Sequence, residues 1–129
     1  MTDFIIIDDD PINNLICTRI IEISKTGAKV KSYTNPEIAL VEMLENYGKD
    51  TANEVVVFLD INMHELSGWE VLEQFNGFPE KVKRLFKIFI LSSSVDSLDQ
   101  QKARNNPYVK SYIAKPLSMA ILQQLLSDI

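Results

Sequence analysis

Cysteine is nearly absent from this sequence of 129 residues, which contains only Cys17. A single thiol cannot form an internal disulfide, and such a composition is typical of proteins in a reducing cytoplasm. Positive charge is also scarce, because 18 acidic residues outnumber 13 lysines and arginines and leave a net charge of −5. Nucleic-acid backbones are bound by concentrated basic surfaces, so this balance argues against a nucleic-acid partner.

Long apolar runs are absent as well. No stretch approaches the roughly 20 apolar residues that a membrane-spanning helix needs, and the first residues lack the pattern of a secretory signal. We therefore expect a cytoplasmic protein with no membrane partner. The four glycines and five prolines form no linker-like tract, and the length suits one core. We expect a single domain over residues 1–129, with no output domain.

Short apolar runs are present, and they alternate with segments of helical periodicity. The runs VVVFL at 55–59 and IFIL at 88–91 are apolar without alternation, as in parallel strands that are covered on both faces. Five strands are predicted in all: Phe4–Asp8, Ala28–Tyr33, Val55–Asp60, Lys87–Ser92 and Val109–Ala114.

A helix is predicted after each strand, with its inward face marked by apolar residues at helical spacing. These residues are Ile12, Leu15, Ile16 and Ile20; Ile38, Val41 and Leu44; Val71, Leu72 and Phe75; Leu98 and Ala103; and Leu122, Leu125, Leu126 and Ile129. Alternating strands and helices form right-handed crossovers around a parallel sheet. We predict an α/β fold, a flavodoxin-like doubly wound (βα)5 with a five-stranded parallel sheet of order 2-1-3-4-5.

The stretch NGFPEKVKRLFK at 76–87 is longer than a simple helix-to-strand loop and is locally basic. Short charged runs usually face water. We interpret this stretch as a solvated helical extension that packs Val82, Leu85 and Phe86 inward. The alternative is a dedicated phosphate or partner patch.

Three adjacent aspartates follow the first predicted strand in the motif FIIIDDDPINN. Asp10 precedes Pro11, and this pair is a helix-start signature, because the aspartate caps the first turn and proline fits the first helical position. Asn35, before another proline, predicts the start of the second helix in the same way. Asp8 and Asp9 have no such structural explanation.

Asp8 and Asp9 lie at the carboxyl end of the first strand, and Asp60 ends the third. In an open α/β sheet, ligands bind at this edge, where the strand order reverses. Repulsion among three carboxylates in one crevice calls for a cation, and oxygen ligands with room for water favour Mg²⁺. The alternative is that these acids point into solvent and hold no metal.

Polar residues also stand at the ends of the fourth and fifth strands. The fourth strand ends in Ser92, Ser93 and Ser94, and the fifth is followed by Lys115 and Pro116. Each feature alone is typical of turns. An acid pair, an acid, a hydroxyl and an amine at the ends of four separate strands, however, form a specific ordered set.

This set resembles the receiver domain of bacterial two-component response regulators. The motifs IIIDDDP, FLDINMHELSG, ILSSS and YIAKPL stand in the family's order and spacing over essentially the whole chain, most like stand-alone receivers of the chemotaxis-regulator kind. The resemblance implies a regulatory phosphoacceptor rather than an enzyme. A histidine kinase or phosphotransfer protein would donate the phosphoryl group. The domain, a monomer or a weak phosphorylation-dependent dimer, would then control a downstream protein.

The resemblance assigns the acceptor and metal roles to matching positions. It implies that Asp60 accepts the phosphoryl group as an aspartyl phosphate. It implies that Mg²⁺ is held by Asp8, Asp9 and Asp60, together with the backbone carbonyl of Asn62.

The resemblance also implies residues that contact or report the phosphoryl group. Ser92 and Lys115 would contact it, and Ser92 and Tyr112 would act as the switch. Their movement would change the surface formed by the fourth predicted helix, the fifth strand and the fifth predicted helix. Gly68 matches the family glycine that closes the acceptor loop. His64 is a departure, because the family usually has a proline there, and a proline would fix the backbone φ angle.

Three alternatives remain open. A phosphatase could use Asp60 as a covalent nucleophile, but its general acid would stand two residues later, where Asn62 is a poor proton donor. A receiver-like scaffold could have lost phosphorylation, although Asp9, Ser92, Lys115 and the acceptor are intact. Tyr112 could be an ordinary half-buried strand aromatic.

Overall fold

The computed structural model describes residues 2–47 and 53–127. Within these ranges a five-stranded sheet has the order β2-β1-β3-β4-β5, and every neighbouring pair of strands is parallel. The strands are β1 (Thr2–Ile7), β2 (Lys29–Tyr33), β3 (Glu54–Leu59), β4 (Phe86–Ser92) and β5 (Val109–Ala114). The predicted α/β fold and its strand order are therefore confirmed, and every predicted strand end lies within two residues of the observed one.

Six helices accompany the strands in the described part of the chain. They are α1 (Pro11–Ser24), α2 (Pro36–Asn46), α3 (Gly68–Asn76), α4 (Glu80–Lys83), α5 (Ser97–Asn105) and α6 (Met119–Ser127). The predicted caps are confirmed: Asp10 accepts a hydrogen bond from the Ile12 N–H at 3.0 Å, and Asn35 accepts one from the Glu37 N–H at 2.9 Å. These caps fix where α1 and α2 leave the sheet edge.

The short helix α4 lies inside the basic stretch 76–87. Val82 and Phe86 are buried, and Leu85 packs against the core, as the interpretation of a helical extension predicted. Because α4 adds a helix to the count, the fourth and fifth predicted helices are α5 and α6.

The inward faces predicted for α1 and α2 are wrong except at Ile20, which is partly buried against the core as predicted. Large apolar side chains on both predicted faces are exposed to solvent, namely Ile12, Leu15, Ile16, Ile38, Val41 and Leu44. The helices instead bury Asn14, Cys17 and Ile21 on α1, and Pro36, Ala39, Leu40 and Met43 on α2. Both helices carry apolar residues on more than one face, so the periodicity of the sequence left two candidate inward faces for each helix. Small residues such as Cys17 and Ala39 let a helix approach the sheet closely, and packing selects their face.

The remaining predicted faces have mixed outcomes. Val71, Leu72 and Phe75 of α3 are buried as predicted. On α5 only Ala103 is buried, whereas Leu98 is 56% exposed, so its predicted inward position is wrong. On α6 the buried residue is Leu122, with Leu125 and Leu126 partly buried against the core; Ile129 lies outside the described residues.

The core forms two layers, one on each face of the sheet. One layer joins Ile5, Ile7, Val57, Leu59 and Ile90 to residues of α2 and α3, and the other joins Phe4, Ile6, Phe58 and Leu91 to residues of α1 and α6. The central strands are thus covered on both faces, which explains their apolar runs without alternation. None of the helices within the described ranges has the length and apolar character needed to cross a bilayer.

Candidate functional site

The register of the sheet brings three carboxylates together at one edge. Ile7 of β1 is paired with Leu59 of β3, so the residues that follow these two strands lie side by side. The Asp60 N–H donates a hydrogen bond to the Ile7 carbonyl at 2.9 Å, which continues this pairing by one residue. One carboxylate oxygen from each of Asp8, Asp9 and Asp60 lies within 4.8 Å of the other two.

Asp8 is buried and is held by three donors. It accepts hydrogen bonds from the Asp10 N–H at 2.9 Å and from Asn13 Nδ2 at 2.8 Å. The Lys115 ammonium lies 2.7 Å from Asp8 Oδ2. Charge-assisted hydrogen bonds to a buried carboxylate are strong and directional, so this side chain is fixed in place.

Asn14 stabilises the same loop through its side-chain amide. Its Nδ2 donates to the Asp8 carbonyl at 2.9 Å and to the Tyr33 carbonyl at 3.4 Å, so it joins the ends of β1 and β2. Asn13 and Asn14 were not among the predicted site residues. The signal was present in FIIIDDDPINN, because side chains in the first turn of a helix that starts at Pro11 point back towards the strand end.

Asp9 is tied to the loop that follows β3. Its Oδ2 accepts a hydrogen bond from the backbone N–H of His64 at 2.9 Å. Proline has no backbone N–H, so the proline that the resemblance leads one to expect at this position could not make this bond. The His64 residue itself is exposed. Its contribution to the site is therefore its backbone amide.

Asp60 is only 6% exposed to solvent. Burial, and then the nearby charge of Asp8, raise the pKa of its carboxyl above the ordinary value, although Lys115 and the Asn62 N–H act in the opposite direction. The Asn62 N–H donates to Asp60 Oδ1 at 3.3 Å, and Lys115 Nζ lies 3.4 Å from Oδ2. An anion held in a place that disfavours its charge is poised to gain a cation or a covalent partner.

Lys115 bridges the two strand ends. Burial lowers the pKa of its ammonium, but the hydrogen bond to Asp8 and the charges of Asp60 and Asp8 outweigh burial and raise the pKa above its ordinary value. Its backbone N–H donates to the Ser92 carbonyl at 3.0 Å, which ties β5 to the end of β4. The peptide bond between Lys115 and Pro116 is cis. Because its pKa is raised, the Lys115 ammonium stays charged, and it lies 3.4 Å from the acceptor carboxylate.

Ser92 ends β4, the strand next to β3, and is fully buried. Its Oγ accepts a hydrogen bond from the Ser94 N–H at 3.1 Å. Tyr112, half-buried on β5, donates its hydroxyl hydrogen to the Ser94 carbonyl at 2.7 Å. The serine and tyrosine predicted as a switch are thus both bonded to one residue of the β4–α5 loop.

Gly68 closes the acceptor loop at the start of α3. Its N–H donates to the Ile61 carbonyl at 3.1 Å. A Cβ atom at this position would lie 2.6 Å from the Asp60 carbonyl oxygen and 2.8 Å from the Ile61 Cα. Backbone atoms cannot yield to that overlap cheaply, so only glycine fits against the acceptor residue.

The donor set fits a hard divalent cation. Asp8, Asp9 and Asp60 offer only oxygen atoms, they converge from two strands, and burial disfavours the charge that Asp60 carries. Mg²⁺ binds through one or two carboxylates and keeps several waters. The structure thus brings the predicted acidic residues together with Lys115, whose backbone N–H in turn contacts the Ser92 carbonyl. Their chemical roles, and the metal contact of the Asn62 carbonyl, stay predictions.

The chain matches the family model described as response regulator receiver domain over residues 4–127. Among curated proteins, none matches this chain by sequence.

Solved structures give many matches. A response regulator receiver protein from Dyadobacter fermentans is 26% identical, with a TM-score of 0.90 over 99% of this chain and 97% of its own. A two-component response regulator from Cytophaga hutchinsonii is 30% identical, with a TM-score of 0.85 over 99% and 96%. The chemotaxis response regulator CheY4 of Vibrio cholerae is 16% identical, with a TM-score of 0.76 over 99% and 98%, and at that identity shows the fold alone.

Proposed function

Because this chain belongs to the family of response regulator receiver domains, we propose that it receives a phosphoryl group on Asp60. The donor is the phosphohistidine of a kinase or phosphotransfer protein. One observation carries this proposal: Asp60 is buried among Asp8, Asp9 and Lys115, with the three carboxylates within 4.8 Å of one another and the ammonium 3.4 Å from Asp60.

The proposed reaction is a transfer between two anionic partners. An oxygen of Asp60 forms a bond to phosphorus as the phosphorus–nitrogen bond of the donor breaks, and the histidine of the donor takes up a proton. Mg²⁺, held by Asp8, Asp9, Asp60 and the Asn62 carbonyl, would supply the positive charge that offsets repulsion between the acceptor and the phosphoryl oxygens. Water later cleaves the acyl phosphate and restores the carboxylate.

Lys115 and Ser92 are proposed to stabilise the charge on the phosphoryl oxygens. The flexible stem of Lys115 lets the ammonium follow them away from its present contact with Asp8 at 2.7 Å. Ser92 Oγ is proposed to supply a hydroxyl donor to the same group. The Lys115 ammonium is already 3.4 Å from Asp60, which supports its part in this proposal.

The signalling step is proposed to start at Ser92. When its hydroxyl turns towards the phosphoryl group, the bond from the Ser94 N–H at 3.1 Å changes, and Tyr112 is bonded to the same Ser94. The surface made by α5, β5 and α6 then changes shape and controls a downstream protein. New charge and hydrogen bonds thereby bias a two-state element.

The protein is proposed to be a regulatory domain of the cytoplasm that promotes only its own phosphorylation and dephosphorylation. It acts on protein partners, without nucleic acid or membrane, as a monomer or as a weak dimer when phosphorylated. Sustained release of phosphate from p-nitrophenyl phosphate with Mg²⁺ would instead indicate a phosphatase. Asn62, which stands where the general acid of that rival would be needed, speaks against it.

Incubation with acetyl phosphate and Mg²⁺, followed by intact-protein mass measurement, tests the proposal. We expect one added phosphoryl group on the wild type and none on Asp60→Asn or in the presence of a metal chelator. An Asp99→Asn variant, which changes an acid outside the metal group, is the matched control and should still gain the group. Absence of any mass increase on the wild type would favour a non-phosphorylated scaffold.

A further inference from the structure

Asp99 lies in the first turn of α5 and joins two parts of the molecule that the proposed switch does not connect. Its Oδ2 accepts a hydrogen bond from Ser94 Oγ at 2.9 Å. Its Oδ1 accepts one from the indole Nε1 of Trp69, on α3, at 3.3 Å. One half-buried carboxylate therefore holds the β4–α5 loop and the start of α3 together.

Ser94 is the centre of this arrangement. Its N–H donates to Ser92 Oγ, its carbonyl accepts from Tyr112, and its hydroxyl donates to Asp99 while accepting from the Asp96 N–H. Each polar group of Ser94 thus forms a hydrogen bond with a different neighbour. A movement of Ser94 would therefore change its hydrogen bonds to both Asp99 and Tyr112.

The other end of the connection returns to the acceptor. Trp69 follows Gly68, which lies so close to the Asp60 carbonyl oxygen that a Cβ atom would be 2.6 Å away. The contacts form a continuous series from Ser92 through Ser94, the Asp99 carboxylate, the Trp69 indole and Gly68 to the Asp60 backbone. The Asp99 side chain therefore links the end of β4 to the start of α3, next to the acceptor.

We propose that Asp99 is a positioning residue that carries the state of Ser92 to the Trp69 indole, so that α3 responds to phosphorylation together with α5. This inference rests on the proposed function. When Ser92 turns to the phosphoryl group, Ser94 shifts, its bond to Asp99 changes, and the carboxylate moves against the indole N–H. A second surface, beside Trp69, then differs between the two states.

A structural role alone predicts a different result. An acid in the first turn of a helix interacts favourably with the helix dipole, so Asp99→Ala would lower stability whether or not it transmits anything. That role does not connect Ser94 to Trp69. The test therefore needs a signal from the indole itself, and Trp69 is the one tryptophan of the sequence.

The first experiment measures Trp69 emission of the full chain before and after acetyl phosphate and Mg²⁺, with phosphoryl uptake followed by mass. We expect the wild type and Gln101→Ala, an exposed change on the same helix, to show the same emission change. Asp99→Ala should gain the phosphoryl group yet lose most of that change. Asp99→Asn, which keeps one acceptor oxygen, should retain part of it. An undiminished change in Asp99→Ala would overturn the proposal.

The second experiment needs no phosphorylation, so it separates this inference from the proposed function. Ser94→Ala should alter Trp69 emission in the wild-type background and leave it unaltered in the Asp99→Ala background, because the connection runs through the carboxylate. Lys102→Gln removes the ammonium 5.8 Å from the Trp69 ring and should preserve the effect of Ser94→Ala. An equal effect of Ser94→Ala with and without Asp99 would contradict the inference, even if phosphoryl transfer occurs as proposed.

Discussion

The two halves of the candidate site are built differently. The acidic half, at the ends of β1 and β3, is pinned by short bonds: Asp8 has three donors, and Asp9 is tied to His64. The half at the ends of β4 and β5 leads into α5, which buries only Ala103 among its described residues. Few buried apolar contacts mean low local stability. The contrast indicates a preformed binding half and a responsive half that can rearrange.

The largest effect is expected from Asp60→Asn, which removes the acceptor. Phosphoryl uptake should fall to zero, while the protein becomes more stable by about 1–3 kcal/mol in buffer without divalent cations, because a buried charge near Asp8 is gone. Urea denaturation and intact mass check the two parts. Equal or lower stability would show that the acidic half is not under electrostatic strain.

The difference in stability between the wild type and Asp60→Asn should depend on pH, because the pKa of Asp60 is raised. A carboxyl whose pKa is higher in the folded than in the unfolded protein adds stability below its unfolded value, near pH 4, and loses it as the pH rises through the folded value. The free energy of unfolding of the wild type should therefore drop progressively below that of Asp60→Asn as the pH rises above about 4. A constant gap from acid to neutral pH would contradict the assignment.

Gly68→Ala is expected to disturb both halves, since Gly68 touches the acceptor backbone and precedes Trp69. The added Cβ would meet the Asp60 carbonyl oxygen at 2.6 Å, so we expect about 1–3 kcal/mol of lost stability and slower phosphoryl uptake. Gly77→Ala is the control, because its Cβ would lie 3.4 Å from the Gln74 carbonyl oxygen. Chemical denaturation of both variants measures the difference, and similar losses in the two would refute the close-packing argument.

His64→Pro tests how firmly the acidic half is pinned. Proline removes the N–H that donates to Asp9 at 2.9 Å, and we expect about tenfold weaker Mg²⁺ binding, the usual cost of losing a bond that orients a metal ligand. His64→Ala retains the N–H and should bind as the wild type does. Calorimetric titration of each variant with Mg²⁺ measures the two affinities. If His64→Ala also bound Mg²⁺ more weakly, the imidazole and not the backbone N–H would be responsible for the loss of affinity.

Leu98→Gln should have the smallest effect and sharpen the description of the responsive half. Leu98 is 56% exposed on α5, so its replacement should change the free energy of unfolding by less than about 0.5 kcal/mol. Leu72→Ala on α3, which empties a buried position, should cost about 2–5 kcal/mol. Thermal unfolding of the two variants makes the comparison. A large loss for Leu98→Gln would mean that α5 is packed more firmly than its burial indicates.

Predictions from the sequence were most accurate where one pattern had one solution. The runs at 55–59 and 88–91 were predicted as strands covered on both faces, and Asp10 and Asn35 before proline as helix starts, and all four predictions are confirmed. The helix faces were harder. Ile12 and Cys17 are both apolar, so the sequence of α1 fits two orientations, and the inward position predicted for Ile12 was wrong.

The site shows the same division. Its predicted carboxylates, hydroxyl and amine were found from their places at strand ends, and the register of β1 with β3 brings the acids together. The supporting bonds were not found. Asn13 and Asn14 lie five and six residues after Asp8, so their contacts were readable from the start of the helix at Pro11 and were missed. The bond from the His64 amide to Asp9 joins residues 55 positions apart, and no local spacing encodes it.

The sequence by itself determined the order of strands and helices and the kinds of atom at each strand end, because alternation, caps and composition are local properties. Only the tertiary structure decided which face of α1 and α2 lies inward, and that Asp99 meets both Ser94 and Trp69. These outcomes depend on how closely elements far apart in the chain can pack, which is a property of shape in three dimensions.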